Sequence, residues 1–266
     1  MGNTISVVVV CKNEVNAIDR LLQSVGAVSD DIVIYDNGST DGTVEKLRQA
    51  GVHLHQGPWL GFGKTKREAV SLARYDWILS LDADESLDEE LQQELNQLDL
   101  RDELAVYDIP FKNFLGNRHL KWGEWGGDHH IRLFNRNHVN WNDAVVHEEL
   151  VFPGNIKINK LKGSILHHTM KDMADYSHKM VQYALLNAEK YFAQGKRSGF
   201  LKTRVSPALG FFMHYIVQLG FLDGWEGYTA ARMTAFYTFL KYTRLRELWE
   251  NKEDSANKQN RNSQGK

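Results

Sequence analysis

Cysteine is almost missing from this chain. Cys11 is the only one in 266 residues, so an intrachain disulfide framework and a cysteine metal cluster are both excluded, and a reducing compartment is the expectation. The opening residues, Met1-Gly2-Asn3-Thr4-Ile5-Ser6, lack the basic start and long apolar stretch of a signal peptide, which leaves the cytosol as the expected location. Long hydrophobic runs are missing too. The most apolar late stretch, 205–222, is interrupted by Pro207, His214 and Gln218 and makes a poor membrane span. Glycine is scarce where phosphate-binding loops need it: Cys11-Lys12-Asn13-Glu14 follows the first apolar run, which argues against a dinucleotide fingerprint and a P-loop.

Overall charge is only −2, but it is unevenly placed. Residues 1–153 carry 14 Lys and Arg against 25 Asp and Glu, a net of −11, and residues 154–266 carry 18 against 9, a net of +9. A basic C-terminal part can meet nucleic acid or an anionic membrane surface. What accompanies the charge decides between them. At 42% hydrophobic and 25% charged, the chain can form one large α/β domain plus an appendage around a substantial core.

The most informative stretch is Trp77 to Glu85, WILSLDADE. An apolar run with the composition of a buried strand ends in Asp82-Ala83-Asp84-Glu85. Acids at a strand's carboxyl end lie where open α/β sheets bind ligands, and alternate carboxylates suit Mg²⁺ or Mn²⁺. The competing reading is an acidic turn that caps a helix starting near Leu87. Before it, Ile5–Val10, Ile32–Tyr35 and Val52–His55 read as strands, with helices after Glu14, after Thr43 and from Gly61 to about Arg74. Strands alternating with helices at this pace require right-handed crossovers and a mainly parallel sheet. Glu14, Asp36 and Asp82/Asp84 then share one edge, where carboxylates would accept from ribose hydroxyls or a base N–H, with Lys64 or Arg67 adding positive charge.

ISVVVVCKNE, YDNGSTDGT and WILSLDADE, in this order and spacing, resemble the nucleotide-binding half of inverting family 2 glycosyltransferases. The resemblance implies a GT-A fold, an α/β architecture with a Rossmann-like, mainly parallel nucleotide-binding sheet. It places Lys12 and Glu14 beside the nucleotide, Asp36 on the uracil or ribose, Asp82 on the ribose and Asp84 on the metal. Val145-Val146-His147-Glu148-Glu149-Leu150 matches the His-Glu motif of the lipopolysaccharide-core β-1,4-glucosyltransferase branch. An inverting transfer needs one general base, and the match points to Glu148, with Glu149 second and His147 orienting the loop. His167 is implied as a further contact near metal and diphosphate.

The second half changes character. Val106–Phe111, His129–Phe134 and Val139–Trp141 alternate like strands around a Trp- and Gly-rich stretch, 122–128, in which Trp122 and Trp125 suit either sugar stacking or packing. Asp172–Gln194 reads as a long helix, 205–222 with 230–242 as a basic, aromatic-rich interfacial element, and 250–266 as disordered. Gly220-Phe221-Leu222-Asp223-Gly224 resembles the GFLDG signature of the same branch. The expected organisation is a GT-A domain over 1–170, split near residue 100 into nucleotide and acceptor halves, then a helical, membrane-associating extension over 171–249.

The resulting expectation is a metal-dependent hexosyltransferase. It would move glucose from UDP-glucose to a lipid-linked acceptor such as the lipopolysaccharide inner core, working peripherally at the inner face of the cell membrane and not on nucleic acid. A transferase acting on capsule, exopolysaccharide or protein is the alternative, as is a non-catalytic relative that binds nucleotide or glycan.

Overall fold

The computed structural model describes residues 4–143 and 148–264. It divides into two compact units, residues 1–113 with 127–169, and residues 114–126 with 170–266.

The chain begins with β1 (Ile5–Cys11), α1 (Ile18–Val25), β2 (Asp31–Asp36), α2 (Thr43–Ala50), β3 (His53–Gln56), α3 (Phe62–Ser71), β4 (Trp77–Asp82), β5 (Glu85–Leu87) and α4 (Glu89–Gln97). Seven further strands follow: β6 (Ala105–Leu115), β7 (Arg118–Leu120), β8 (His129–Asn135), β9 (Asn140–Trp141), β10 (Leu150–Val151), β11 (Lys157–Lys160) and β12 (Ile165–Met170). The sheet order is β3-β2-β1-β4-β8-β6-β12-β5. Its first four strands are parallel, and β8 then runs antiparallel to both β4 and β6.

The period of two along a strand sorts the core. On β1, Ile5, Val7, Val9 and Cys11 pack on one face with Ile18 and Leu21 of α1 and Leu91 and Leu95 of α4. Val8 points the other way, with Val33, Tyr35, Ala69, Val70 and Ile78. Covering both faces explains why β1 and β4 are mostly apolar instead of alternating, with only the small Ser6 and Ser80 buried among the apolar residues before Asp82. The parallel register sets Cys11 beside Asp36 and Val10 beside Asp82, so both acids reach the same sheet edge.

The acidic turn is not a helix cap. Glu85–Leu87 forms β5, and α4 starts at Glu89 with Asp88 as its N-cap, accepting from Leu91 N at 2.9 Å.

The second unit contains α5 (Met173–Ala193), α6 (Ser206–Phe212) and α7 (Gly224–Gln264), with π-helical turns at Leu201–Val205 and Met213–Val217 on either side of α6. Leu120, Met170, Tyr176 and Ala230 form its core, and Trp125 packs against them. Residues 114–126, expected in the acceptor half, therefore belong to this unit, and Trp125 is a packing residue. The segment after Glu250, expected to be disordered, continues α7 to Gln264. Ala, Lys, Gln and Arg are good helix formers, and Arg246 bonds Glu250 one turn on at 2.6 Å. Among the described residues no single helix is long and apolar enough to cross a membrane.

Candidate active site

A cavity of about 900 Å³ opens in the first unit beside the carboxyl end of β4, lined by Lys66, Asp82, Asp108, Arg132, Trp141 and Glu148 among others. Asp82 is its hub. Its Oδ1 lies 3.1 Å from Lys66 Nζ and its Oδ2 3.1 Å from an Arg132 guanidinium nitrogen. The same Arg132 group reaches Glu85 Oε1 at 2.6 Å, while Glu85 Oε2 accepts from Asp82 N at 2.9 Å. Lys66 Nζ also reaches Glu148 Oε1 at 2.9 Å and lies 4.7 Å from the centre of the Trp141 ring.

Charges hold this arrangement in a definite state. Enclosure by protein pushes the Asp82 carboxyl up, but Lys66 and Arg132 outweigh it and hold the group well below the usual carboxylate range. Burial would likewise push Lys66 down, and Asp82 and Glu148 reverse that, keeping the ammonium charged. Glu85 is fully enclosed, and burial pushes it up against the pull of Arg132. Its two contacts brace the β4 edge.

Asp84 follows in the turn between β4 and β5, with Oδ1 at 3.6 Å from His167 Nε2. Asn113 fixes the imidazole. Its amide nitrogen donates to Asp128 Oδ2 at 3.1 Å, so its oxygen must be the acceptor for His167 Nδ1 at 2.9 Å. The lone pair of His167 therefore sits on Nε2, on the Asp84 side. Burial pushes His167 down, towards the neutral ligand form.

These residues fit a divalent cation that shares its shell with a substrate diphosphate. Asp84 and His167 offer one oxygen and one nitrogen, and Mg²⁺ commonly takes few protein ligands beside phosphate oxygens. No group of three or more His, Cys, Asp or Glu that could hold a metal gathers among the described residues. The charge count argues the same way. Among the described residues, Lys66 is shared by Asp82 and Glu148 and Arg132 by Asp82 and Glu85, so these cations are already balanced by carboxylates and an anionic ligand needs further positive charge to bind there.

Other expected residues lie elsewhere. Asp36 is fully buried, and its carboxylate accepts from Gly38 N, Ser39 N and the Ser39 hydroxyl, with the Cys11 thiol at 3.5 Å. In this conformation it organises the loop after β2 and presents no free edge to a base or ribose. Lys12 is exposed in the turn after β1, and Glu14, partly buried, starts α1 with its N on Thr43 Oγ1 at 2.9 Å. Lys64 is exposed on α3 and does not line the cavity; Lys66, two residues on, supplies the cation. Arg67 bonds the Trp141 carbonyl and Asp143. Glu149 lines the cavity but is exposed, whereas Glu148 is tied into the cluster. Val145, Val146 and His147 lie outside the described residues.

Reading the sequence missed Lys66, Arg132 and Glu85. A signal existed for Lys66: it falls on the helical stripe with Gly63, Val70 and Ala73, so a lysine was present on an apolar face. Arg132 gave none, because nothing local sets which residues β8 brings opposite β4.

A strand-edge acid pair with a candidate base held beside it in one cavity by a shared lysine suits a group-transfer enzyme. The chain belongs to glycosyl transferase family 2, whose profile matches residues 6–174, and the protein is a glycosyltransferase with a mixed α/β first unit and a C-terminal helical region. It is similar to an uncharacterized glycosyltransferase of Rickettsia typhi, 28% identical over 254 residues, covering 92% of this chain and 87% of that one. It is likewise similar to the lipopolysaccharide core biosynthesis glycosyltransferase LpsC of Rhizobium meliloti, 28% identical over 248 residues and covering 91% of each. Among solved structures it is similar to S. aureus TarS 1-349, with a TM-score of 0.42, 15% identity, and coverage of 94% of this chain and 92% of that one.

Proposed function

We propose that this protein is a metal-dependent, inverting hexosyltransferase that moves glucose from UDP-glucose to a hydroxyl of a lipid-linked saccharide such as the lipopolysaccharide inner core, at the cytoplasmic face of the cell membrane. The observation that carries the reading is Glu148, a cavity-lining carboxylate held on Lys66, the same ammonium that pairs with Asp82 of the Asp82–Arg132–Glu85 edge. The match along nearly the whole length of LpsC, a lipopolysaccharide core enzyme by name, supports the acceptor class.

In this reading the donor lies along the β1, β2 and β4 edge, with Lys12 and Glu14 bordering the nucleotide, the loop organised by Asp36 beneath it and Asp82 on the ribose. Glu148 accepts the acceptor hydroxyl proton as that oxygen bonds to the anomeric carbon from the face opposite the diphosphate. The bond from the anomeric carbon to the diphosphate oxygen breaks, and UDP leaves with that electron pair. Asp84 and His167 would hold Mg²⁺ or Mn²⁺, which supplies charge neutralisation for the leaving diphosphate. Lys66 is the point charge between base and donor edge, keeping Glu148 fixed at the wall where the acceptor enters.

The test is UDP release from a panel of UDP-sugars, with Mn²⁺ and with EDTA. Turnover of one donor, lost in EDTA and in Asp84→Ala, is expected, and Glu148→Gln should lower transfer by about 10²–10⁴-fold while UDP still binds. Full activity of Asp84→Ala would remove the metal role. Full activity of Glu148→Gln would move the base to Glu149.

A further inference from the structure

The second unit carries an apolar surface outside the cavity described above. Leu201, Val205, Leu209, Phe212, Met213 and Ile216 recur at three- and four-residue spacing along the helical stretch 201–217, the pattern of a core-facing stripe, yet all six are exposed. Phe200, Val217 and Trp225 extend it, at 70%, 55% and 73% exposure. Apolar surface this continuous marks an interaction site.

Charge indicates what covers it. From Lys196 to Arg246 there are eight Lys and Arg and two acids, Asp223 and Glu226. Asp223 is buried and committed, accepting from Lys121 N at 2.8 Å and Trp122 N at 2.7 Å. No acid occurs from residue 198 to 222, while Lys202 and Arg204 lie beside the stripe. An apolar face fringed along 198–222 by cations, with Glu226 the one uncommitted acid at its far end, complements an anionic lipid surface.

Shape sets the mode. The helical stretches Leu201–Val217 and Gly220–Asp254 bend by 71° at the break between them. Close packing of two glycines fixes the bend: a Cβ on Gly220 would lie 2.6 Å from His214 O, and one on Gly227 would lie 1.9 Å from Gly220 O. Leu219, Phe221, Leu222 and Trp225 cluster at this vertex, all exposed. A stiff wedge with its vertex and one arm apolar can enter the headgroup region without crossing the bilayer.

We infer that residues 200–225 form a monotopic wedge that seats this protein on anionic bilayers, with the 201–217 stripe and the Leu219–Trp225 vertex in the acyl boundary and Lys202 and Arg204 on lipid phosphates. The inference deepens the proposed function by naming the surface on which a lipid-linked acceptor would be met, but its evidence is independent of the donor site.

The experiment is vesicle flotation of the full chain with phosphatidylcholine vesicles, with or without phosphatidylglycerol, at low and high salt. Wild type should float with the anionic vesicles, less so as salt rises. Leu209→Ser with Phe212→Ser should weaken partitioning by about 100-fold, roughly tenfold for each large side chain withdrawn from the acyl boundary. Lys202→Gln with Arg204→Gln should lose about tenfold or more, on anionic vesicles only. Both double variants change exposed side chains and should keep the wild-type circular dichroism and rate of UDP release without vesicles. No flotation of wild type, unchanged flotation of both variants, self-association through this face in place of lipid binding, or retention on duplex DNA without flotation would each overturn the inference. Failed flotation with intact UDP release removes only the wedge, and flotation without turnover of any donor removes only the transferase reading.

Discussion

At the scale of single residues, position on a helix separates two lysines that composition treats alike. Lys66 sits on the buried stripe of α3 and joins Asp82 to Glu148, while Lys64 points to solvent. Lys66→Met leaves two carboxylates short of a partner in an enclosed site, and a loss of about 1–3 kcal/mol in stability is expected. Transfer should fall at least about tenfold because Glu148 loses its anchor. Lys64→Met should stay within about 0.5 kcal/mol of wild type. Thermal unfolding and UDP release of the two variants side by side check this, and an inert Lys66→Met would dissolve the cluster as a functional unit.

At the scale of elements, α4 shows how one side chain fastens several segments. Asp88 caps the helix through Leu91 N, accepts from Ser164 N at 3.0 Å ahead of β12, and pairs with Lys112 of β6 at 2.7 Å. Asp88→Ala should cost about 1–2 kcal/mol, the upper part of the capping range, because the other contacts go with the cap. Burial raises the Asp88 proton affinity, but the Lys112, Ser164 and Leu91 contacts overcome it, so the folded-state value lies below the ordinary 3.8. A depressed folded value means the contribution is complete at neutral pH and is lost as the pH falls below the ordinary aspartate value. The stability gap between wild type and Asp88→Ala should therefore narrow on acidification, as denaturant titrations at several pH values would show.

At the scale of the whole molecule, the cavity beside β4 lies within one compact unit and the exposed apolar stripe within the other. UDP with Mg²⁺ should stabilise the unit that contains Asp82 and Asp84, by about 2.7 kcal/mol at a hundred times its dissociation constant. Calorimetry with and without UDP measures the shift, and no change at saturating nucleotide would argue against a donor site on this edge. The apolar runs of β1 and β4, the turn after β2 and the long helix α5 were all legible locally, because strand composition and turn chemistry depend on neighbouring residues. So was the meeting of Asp36 and Asp82 at one edge, which follows from parallel strands of similar length. The partners of those acids were not legible. Asp36 turned inward to its own loop, and Arg132 came from a strand fifty residues beyond Asp82, which no local pattern could place. The sequence by itself determined the alternation of strands and helices, the acidic strand ends and the apolar, basic-flanked character of 205–222. Only the tertiary structure decided which cation enters the site, which unit holds residues 114–126 and that the 201–217 stripe faces outward, because period records that a face is apolar while packing alone settles what, if anything, covers it.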